Sequence, residues 1–320
     1  MHNRLIISGK NLYIRLMAAF RKINHWIITS IAIIVSIVVL GLLVYRQKDI
    51  ILEYQWQFKP LPILLSFLIF TIALFWMAII WGWIINHLGK KLSYRKHIRY
   101  YIVSNLAKRI PGTVWYVVSR FQMYTSDGIS ARITAVASGV EIVLGTLAGI
   151  LVILIFSTQS LVQYHISPII LIIIFLLGLL LVHPKVIRWI FLRRNVDIDT
   201  LNYRLILTII FLYIFTWILG GCVLFEVGNV IYPISMSDLK YVITSWTLVG
   251  IFSTILFFSP SNFGITEIGL SLLLSRIVPS SIAVLIAITS RILLIVYEFI
   301  WAGFFLWVRL PDKPPLTQKD

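Results

Sequence analysis

Apolar runs of about 17–25 residues recur along this chain, and no water-soluble fold can absorb so many of them. They fall at residues 26–45, 61–86, 131–156, 167–183, 203–227 and 280–308. A further run, 239–258, is followed after a break by 264–277. In hydrocarbon each backbone N–H and C=O must find its partner within the same segment, so runs of this kind become helices. Composition agrees. Of 320 residues 59% are hydrophobic and 12% charged, where soluble domains sit near half and about a quarter. The expected fold is all-α: a polytopic integral membrane protein with six full spans and two broken re-entrant hairpins, or about eight spans if the broken segments cross completely. No connection is long enough for a soluble domain, the longest polar one being about 185–202, so any chemistry takes place in or at the membrane.

Cations set the orientation. The chain carries 28 Lys/Arg against 12 Asp/Glu, a formal charge of +16. In a membrane protein this excess marks cytoplasmic loops rather than a nucleic-acid partner. Residues 1–25 hold Arg4, Lys10, Arg15, Arg21 and Lys22 with no acid, and "HLGKKLSYRKHIRY" is equally basic. The stretch "HPKVIRWIFLRRNVDIDTLNYR" is the third basic one. By contrast "STQSLVQYHIS" has no charged residue and "EVGNVIYPISMSDLK" has a single cation. The alternation predicts a cytoplasmic N-terminus in the cell membrane. Residues 4–24 read as a basic amphipathic helix lying on the cytoplasmic leaflet, since no cleavage site follows them and the first span is long enough to anchor. Three regions result: the basic N-terminus 1–25, a transmembrane domain 26–310 and a cytoplasmic tail 311–320.

One stretch does not fit an ordinary span. "NLAKRIPGTVWYVVSR" lies between apolar runs yet carries three cations and a Pro-Gly break. It follows a cytoplasmic loop and precedes a span that starts from the cytoplasm, so it enters and leaves on one side. Residues 97–110 make one leg and 113–124 the return, with Pro111 removing a backbone donor at the tip and Gly112 freeing its dihedrals. A surface linker with a Pro-Gly turn is the other reading. Residues 257–276, "FFSPSNFGITEIGLSLLLSR", repeat the scheme, with Pro260 and Gly264 at the second tip. Pro111 and Pro260 stand about 150 positions apart, as do Glu141 and Arg291, which suggests pseudo-repeats over about 60–157 and 203–308. Three crossings lie between the breaks, so the repeats are inverted, and interrupted segments at matching positions point to a transporter's binding site.

"RIPGTVWYVVSR" resembles the first-half break of the lysylphosphatidylglycerol synthase transmembrane family, which is flippase-like. "SPSNFGITEIGLSLLL" is similar to its second-half hallmark, with Pro260, Gly264 and Glu267 matching. The resemblance covers roughly residues 30 to 308. It implies a membrane domain handling charged lipids or polyprenyl-linked sugars, and the expectation is a chain without the cytoplasmic aminoacyl-transferase domain of the true synthases.

Buried charges carry the expected mechanism, because an ionised side chain at mid-bilayer costs ~2.5–3.5 kcal/mol or more. Glu141 and Arg291 lie near the centres of their spans and are candidates for a bridge between the repeats or for headgroup contact. Arg120, Glu267 and Arg276 flank the hairpins and are expected to border the same cavity, with Glu298 on the face of Arg291. Together with Arg132, the arginines outnumber the acids here, and the planar guanidinium suits phosphate. The expected partner is therefore an anionic or polyprenyl-phosphate lipid. A lipid- or glycan-modifying enzyme is a further candidate partner. Trp115, Tyr116 and Phe121 either stack on a sugar or pack.

Other classes find less support. Asp197 and Asp199 form a D-x-D like the metal–nucleotide sites of glycosyltransferases, but no nucleotide-binding fold surrounds them. A non-transporting scaffold is the other alternative. No phosphate-cradling loop of the G-x-x-x-x-G-K-[ST] type is present, so coupling rests on an ion or substrate gradient, without a cofactor. The six histidines, at or outside span ends, are read as interfacial or solvated with no metal set. Cys222 is single, which excludes an internal disulfide, and is read as a small buried residue.

Overall fold

The computed structural model describes residues 48–55, 59–109, 115–156, 167–186, 202–255 and 262–308, with isolated positions between 34 and 45. The expected interfacial helix at 4–24, most of the first apolar run, the tip residues Pro111, Gly112 and Pro260, the Asp197/Asp199 motif and the tail 311–320 lie outside the described residues. Among the described residues all regular structure is helical.

Ten α-helices follow in order among the described residues: α1 (Lys48–Glu53), α2 (Pro60–Leu88), α3 (Tyr94–Asn105), α4 (Trp115–Ser126), α5 (Ala131–Phe156), α6 (Pro168–Leu181), α7 (Tyr203–Ile231), α8 (Leu239–Ile255), α9 (Asn262–Leu274) and α10 (Ser280–Trp307). A 3₁₀ turn, Leu106–Arg109, continues α3. Four of them, α2, α5, α7 and α10, have 29, 26, 29 and 28 residues and are long and apolar enough to cross a membrane. This is a membrane protein. The expected span 167–183 is shorter in the structure, 14 helical residues with no side chain fully buried. It presents Ile169, Ile170, Leu176, Leu177 and Leu181 outward, as a helix with hydrocarbon for solvent does.

Local chemistry sets the helix ends. Pro60 and Pro168 stand in first turns, where the missing N–H is no loss. Asn202 caps α7 by accepting from the Leu205 N–H at 2.7 Å, relieving one of the unpaired donors at a helix start. Gly128, with φ of +82°, closes the turn between α4 and α5, a conformation that side chains with a Cβ avoid.

The helices pack in two groups that share α7. Helices α2, α3, α4 and α5 enclose one core with Leu205, Ile209 and Tyr213 of α7. Helices α8, α9 and α10 enclose the other with Leu224, Phe225 and Ile231 of α7. Lipid tails are as apolar as leucine, so close packing rather than water exclusion holds such helices together. At Gly221 an added Cβ would stand 2.5 Å from the Ile243 Cα. Here α7 and α8 meet nearly backbone to backbone.

The short helices come in packed pairs. Helix α3 packs on α4 and α8 on α9. At ~1.5 Å per residue the 12-residue α3 and 12-residue α4 each span about 18 Å, well short of a ~30 Å hydrocarbon core.

Candidate functional site

The first site begins with spacing on α4. Tyr116, Arg120 and Tyr124 follow at four-residue intervals, so one face of the helix presents all three. That face turns inward, and Arg120 has 0% of its surface exposed. Its Nη1 donates to Oε2 of Glu141 on α5 at 2.5 Å. Its Nε donates to the Ser104 hydroxyl at 3.1 Å and Nη2 to the Asn105 side-chain oxygen at 3.4 Å. Rings close the remaining sides: the guanidinium carbon lies 4.1, 4.4 and 4.9 Å from the centroids of Trp81, Tyr101 and Tyr116. Glu141 keeps a second partner, its Oε1 accepting from the Tyr101 hydroxyl at 3.0 Å.

Pairing, hydrogen bonds and stacked rings together are what make a buried guanidinium tolerable. A bare one costs several kcal/mol of lost hydration. Arginine, weakly hydrated and planar, suits such a cage better than lysine.

A polar chain adjoins the cage. The Trp81 indole N–H can only donate, so the Tyr124 oxygen accepts it at 2.8 Å. The Tyr124 hydroxyl then donates to Nδ1 of His97 at 2.8 Å. Nε2 carries the imidazole proton and donates to the Asn86 side-chain oxygen at 3.0 Å. The same oxygen accepts the Leu92 N–H at 2.8 Å. The ring lies against Gly82, where a Cβ would come within 3.0 Å of it. Burial pushes the His97 pKa down to about 4, so the imidazole is neutral as this bonding requires. At the edge of the cluster Asp127 takes an ion pair from Lys96 and a hydrogen bond of 2.9 Å from the Tyr100 hydroxyl.

The second site lies in the other group. Arg291 on α10 holds its Nε 3.4 Å from Oε1 of Glu267 on α9, with side chains 16% and 9% exposed. In the same group the Ser253 and Thr266 hydroxyls join α8 to α9 at 3.0 Å.

Several sequence expectations change. Glu141 pairs with Arg120 and Arg291 with Glu267, so the expected Glu141–Arg291 bridge is corrected. Hydropathy gave the depth of each charge, but the side a residue faces depends on how its helix rotates against its neighbours. Arg120 is enclosed rather than set at a cavity mouth, and Arg276 is exposed in the turn after α9. Arg132 is exposed at the start of α5 and lies away from the buried set. Glu298 is half-buried two turns beyond Arg291, and Gly264 falls in the first turn of α9. His97 is fully buried rather than solvated. Cys222 is only half-buried.

Sequence reasoning missed Trp81, Asn86, Tyr101, Ser104 and Asn105. The run "YYIVSN" did hold a pattern, since Tyr101, Ser104 and Asn105 lie at helical spacing for one polar face.

Among the described residues no cluster of His, Cys, Asp and Glu is arranged to hold a metal ion. No family model matches the chain, and no curated protein matches it significantly.

Proposed function

We propose that this chain is a flippase-like protein of the cell membrane, with a cytoplasmic N-terminus, that translocates or binds a phosphate-bearing lipid. Helices α2–α5 and α7–α10 form its inverted pseudo-repeats, and the short pairs α3/α4 and α8/α9 are re-entrant hairpins around the two proline breaks. The observation that carries this reading is the recurrence of one scheme. A long helix is followed by two short packed ones and another long one, and an ion pair ties the second short helix to the long helix after it. Interrupted helices at matching places in two halves are where transporters of this build hold their substrate. The resemblance of "RIPGTVWYVVSR" and "SPSNFGITEIGLSLLL" to the lysylphosphatidylglycerol synthase transmembrane family supplies the lipid class.

The test is exchange of fluorescent lipids between leaflets of proteoliposomes holding the full chain. Phosphatidylglycerol and a polyprenyl phosphate should exchange faster than phosphatidylcholine, and Arg120→Lys should slow them while the protein stays folded. Equal exchange of all three, unchanged by Arg120→Gln, would remove the support of this site.

The saturation of Arg120 favours a second reading. With all its sides engaged, the cage serves equally as a lock in a non-transporting scaffold for a lipid- or glycan-modifying enzyme. Lipid that co-purifies with the chain in native mass spectrometry, without accelerated exchange, is the outcome of that reading.

A further inference from the structure

Arg120 has no exposed surface and is held by three acceptors and three rings. A cation so placed meets a headgroup only by leaving its partners. Another cation stands at two of the same rings. Lys108, in the 3₁₀ turn after α3, is exposed. Its ammonium lies 4.9 Å from the Tyr116 centroid and 5.8 Å from that of Tyr101. The Arg120 guanidinium carbon lies 4.9 and 4.4 Å from the same two centroids.

The two rings form a fixed platform. Tyr101 and Tyr116 are 1% and 6% exposed. The Tyr101 hydroxyl donates to Glu141 at 3.0 Å, and Glu141 is paired with Arg120. An aromatic face attracts an ammonium, so this chain of contacts sets where the Lys108 side chain reaches. Arg120 and Glu141 balance each other, and the charge presented outward at these rings is that of Lys108.

Depth gives that charge a reason. Helix α3 starts at Tyr94, just after the exposed Lys90 and Lys91 of the basic loop, and Lys108 lies fourteen residues further on. At ~1.5 Å per residue the turn stands up to ~20 Å from that end of the helix. On the re-entrant reading this is well inside a ~30 Å hydrocarbon core, where an ammonium is costly unless an anion or water meets it. The turn also packs on α4 and on α10, so Lys108 stands where the first group meets a helix of the second. A cation past the end of α3 complements the helix dipole as well, but that role shows in stability and not in the choice of lipid.

We propose that Lys108 is the headgroup-binding cation of the first site, its ammonium donating to the phosphodiester oxygens of an anionic lipid whose tails stay in the bilayer. Arg120 and Glu141 are positioning residues that act through the two tyrosine rings. Three donors on a flexible stem suit a headgroup that arrives and leaves, as the locked fork of Arg120 does not. The inference rests on the lipid reading above and names the residue that meets the headgroup.

The experiment uses the purified full chain. Retention of phosphatidylglycerol over phosphatidylcholine in neutral detergent is read by native mass spectrometry, and leaflet exchange in proteoliposomes. Lys108→Gln should lower the retention of phosphatidylglycerol by about tenfold and slow its exchange, with thermal unfolding in lipid-free detergent unmoved. Lys108→Met, which keeps an apolar stem over the rings, should do the same. Lys108→Arg keeps the charge and should restore most of the preference. The double change Lys90→Gln, Lys91→Gln removes two exposed cations of the loop and should leave the preference intact. An equal loss there would make the effect one of general surface charge and overturn the site. A phosphatidylglycerol preference that survives both Lys108→Gln and Lys108→Met would overturn the role of Lys108 and leave the lipid reading standing. Inorganic phosphate that displaces phosphatidylglycerol as readily as added lipid does would overturn the lipid as the occupant. An unaltered chain with neither preference nor exchange would overturn the lipid reading, and this inference with it.

Discussion

The two ion pairs follow one plan with opposite signs and different tightness. In the first group the short helix α4 carries the cation and the long helix α5 the acid. In the second, α9 carries the acid and α10 the cation. Arg120 has three hydrogen-bond acceptors and three rings around it, whereas Arg291 meets Glu267 at 3.4 Å with its own side chain 16% exposed. The difference teaches that a charge in a membrane is held by the number of partners that converge on it, not by depth alone.

The sharpest way to break this comparison is to neutralise each pair. Arg120→Gln or Glu141→Gln alone leaves a buried charge uncompensated and should destabilise the protein by ~3–5 kcal/mol, measured by thermal unfolding in detergent. The double variant should recover much of that loss in a double-mutant cycle. Glu267→Gln and Arg291→Gln should each cost less, because Arg291 is 16% exposed and meets its partner at 3.4 Å, where Arg120 is fully enclosed and meets Glu141 at 2.5 Å. Equal losses at the two sites would erase the distinction.

Acid should also act on the first group. The folded pKa of His97, about 4, lies below its ordinary 6.5. The unfolded chain therefore binds more protons between these values. The contribution of His97 is fully present above pH 6.5, falls as pH drops toward 4 and is level below that. Its upper limit is ~3 kcal/mol at ~1.4 kcal/mol per unit. His97→Gln should flatten this part of an unfolding-versus-pH curve; a curve unchanged by the substitution would remove His97 as the cause.

The shared helix gives a smaller effect. Gly221→Ala places a Cβ 2.5 Å from the Ile243 backbone and should cost ~1–3 kcal/mol by overpacking, loosening α8 more than α2. Limited proteolysis would show which group is released first.

Smallest are the hydroxyls. Tyr101→Phe removes one donor from Glu141 and should cost ~1–2 kcal/mol, whereas Ser253→Ala should cost no more than ~1 kcal/mol. Thermal unfolding of the two single variants would compare the groups at the level of one hydrogen bond.

Much of the helical framework was legible in the sequence. The run 131–156 matches α5 at both ends, and 61–86, 203–227 and 280–308 differ from α2, α7 and α10 by at most a few residues. Hydropathy over such a length is a sum of local transfer free energies, and the bilayer demands helix wherever that sum is favourable. Shorter elements were read less well, because a few polar residues or a proline shift their ends. The expected return leg 113–124 became Trp115–Ser126, and the span 167–183 shrank to Pro168–Leu181.

The candidate site divides the same way. Its charged members, Arg120, Glu141, Glu267 and Arg291, stood out because charge inside an apolar run is costly and therefore visible in one dimension. Their pairing did not, nor did the cage of Trp81, Tyr101 and Tyr116, since an aromatic residue in a membrane span looks the same whether it faces lipid or a guanidinium. The sequence by itself determined that these charges are buried and that each needs a counter-charge. Only the tertiary structure decided which: helix rotation and the close packing of α3 and α4 against α5 turn Arg120 toward Glu141, and the contact of α9 with α10 gives Arg291 to Glu267. Burial is a property that local composition accumulates, whereas partnership depends on the relative rotation of helices distant in the chain.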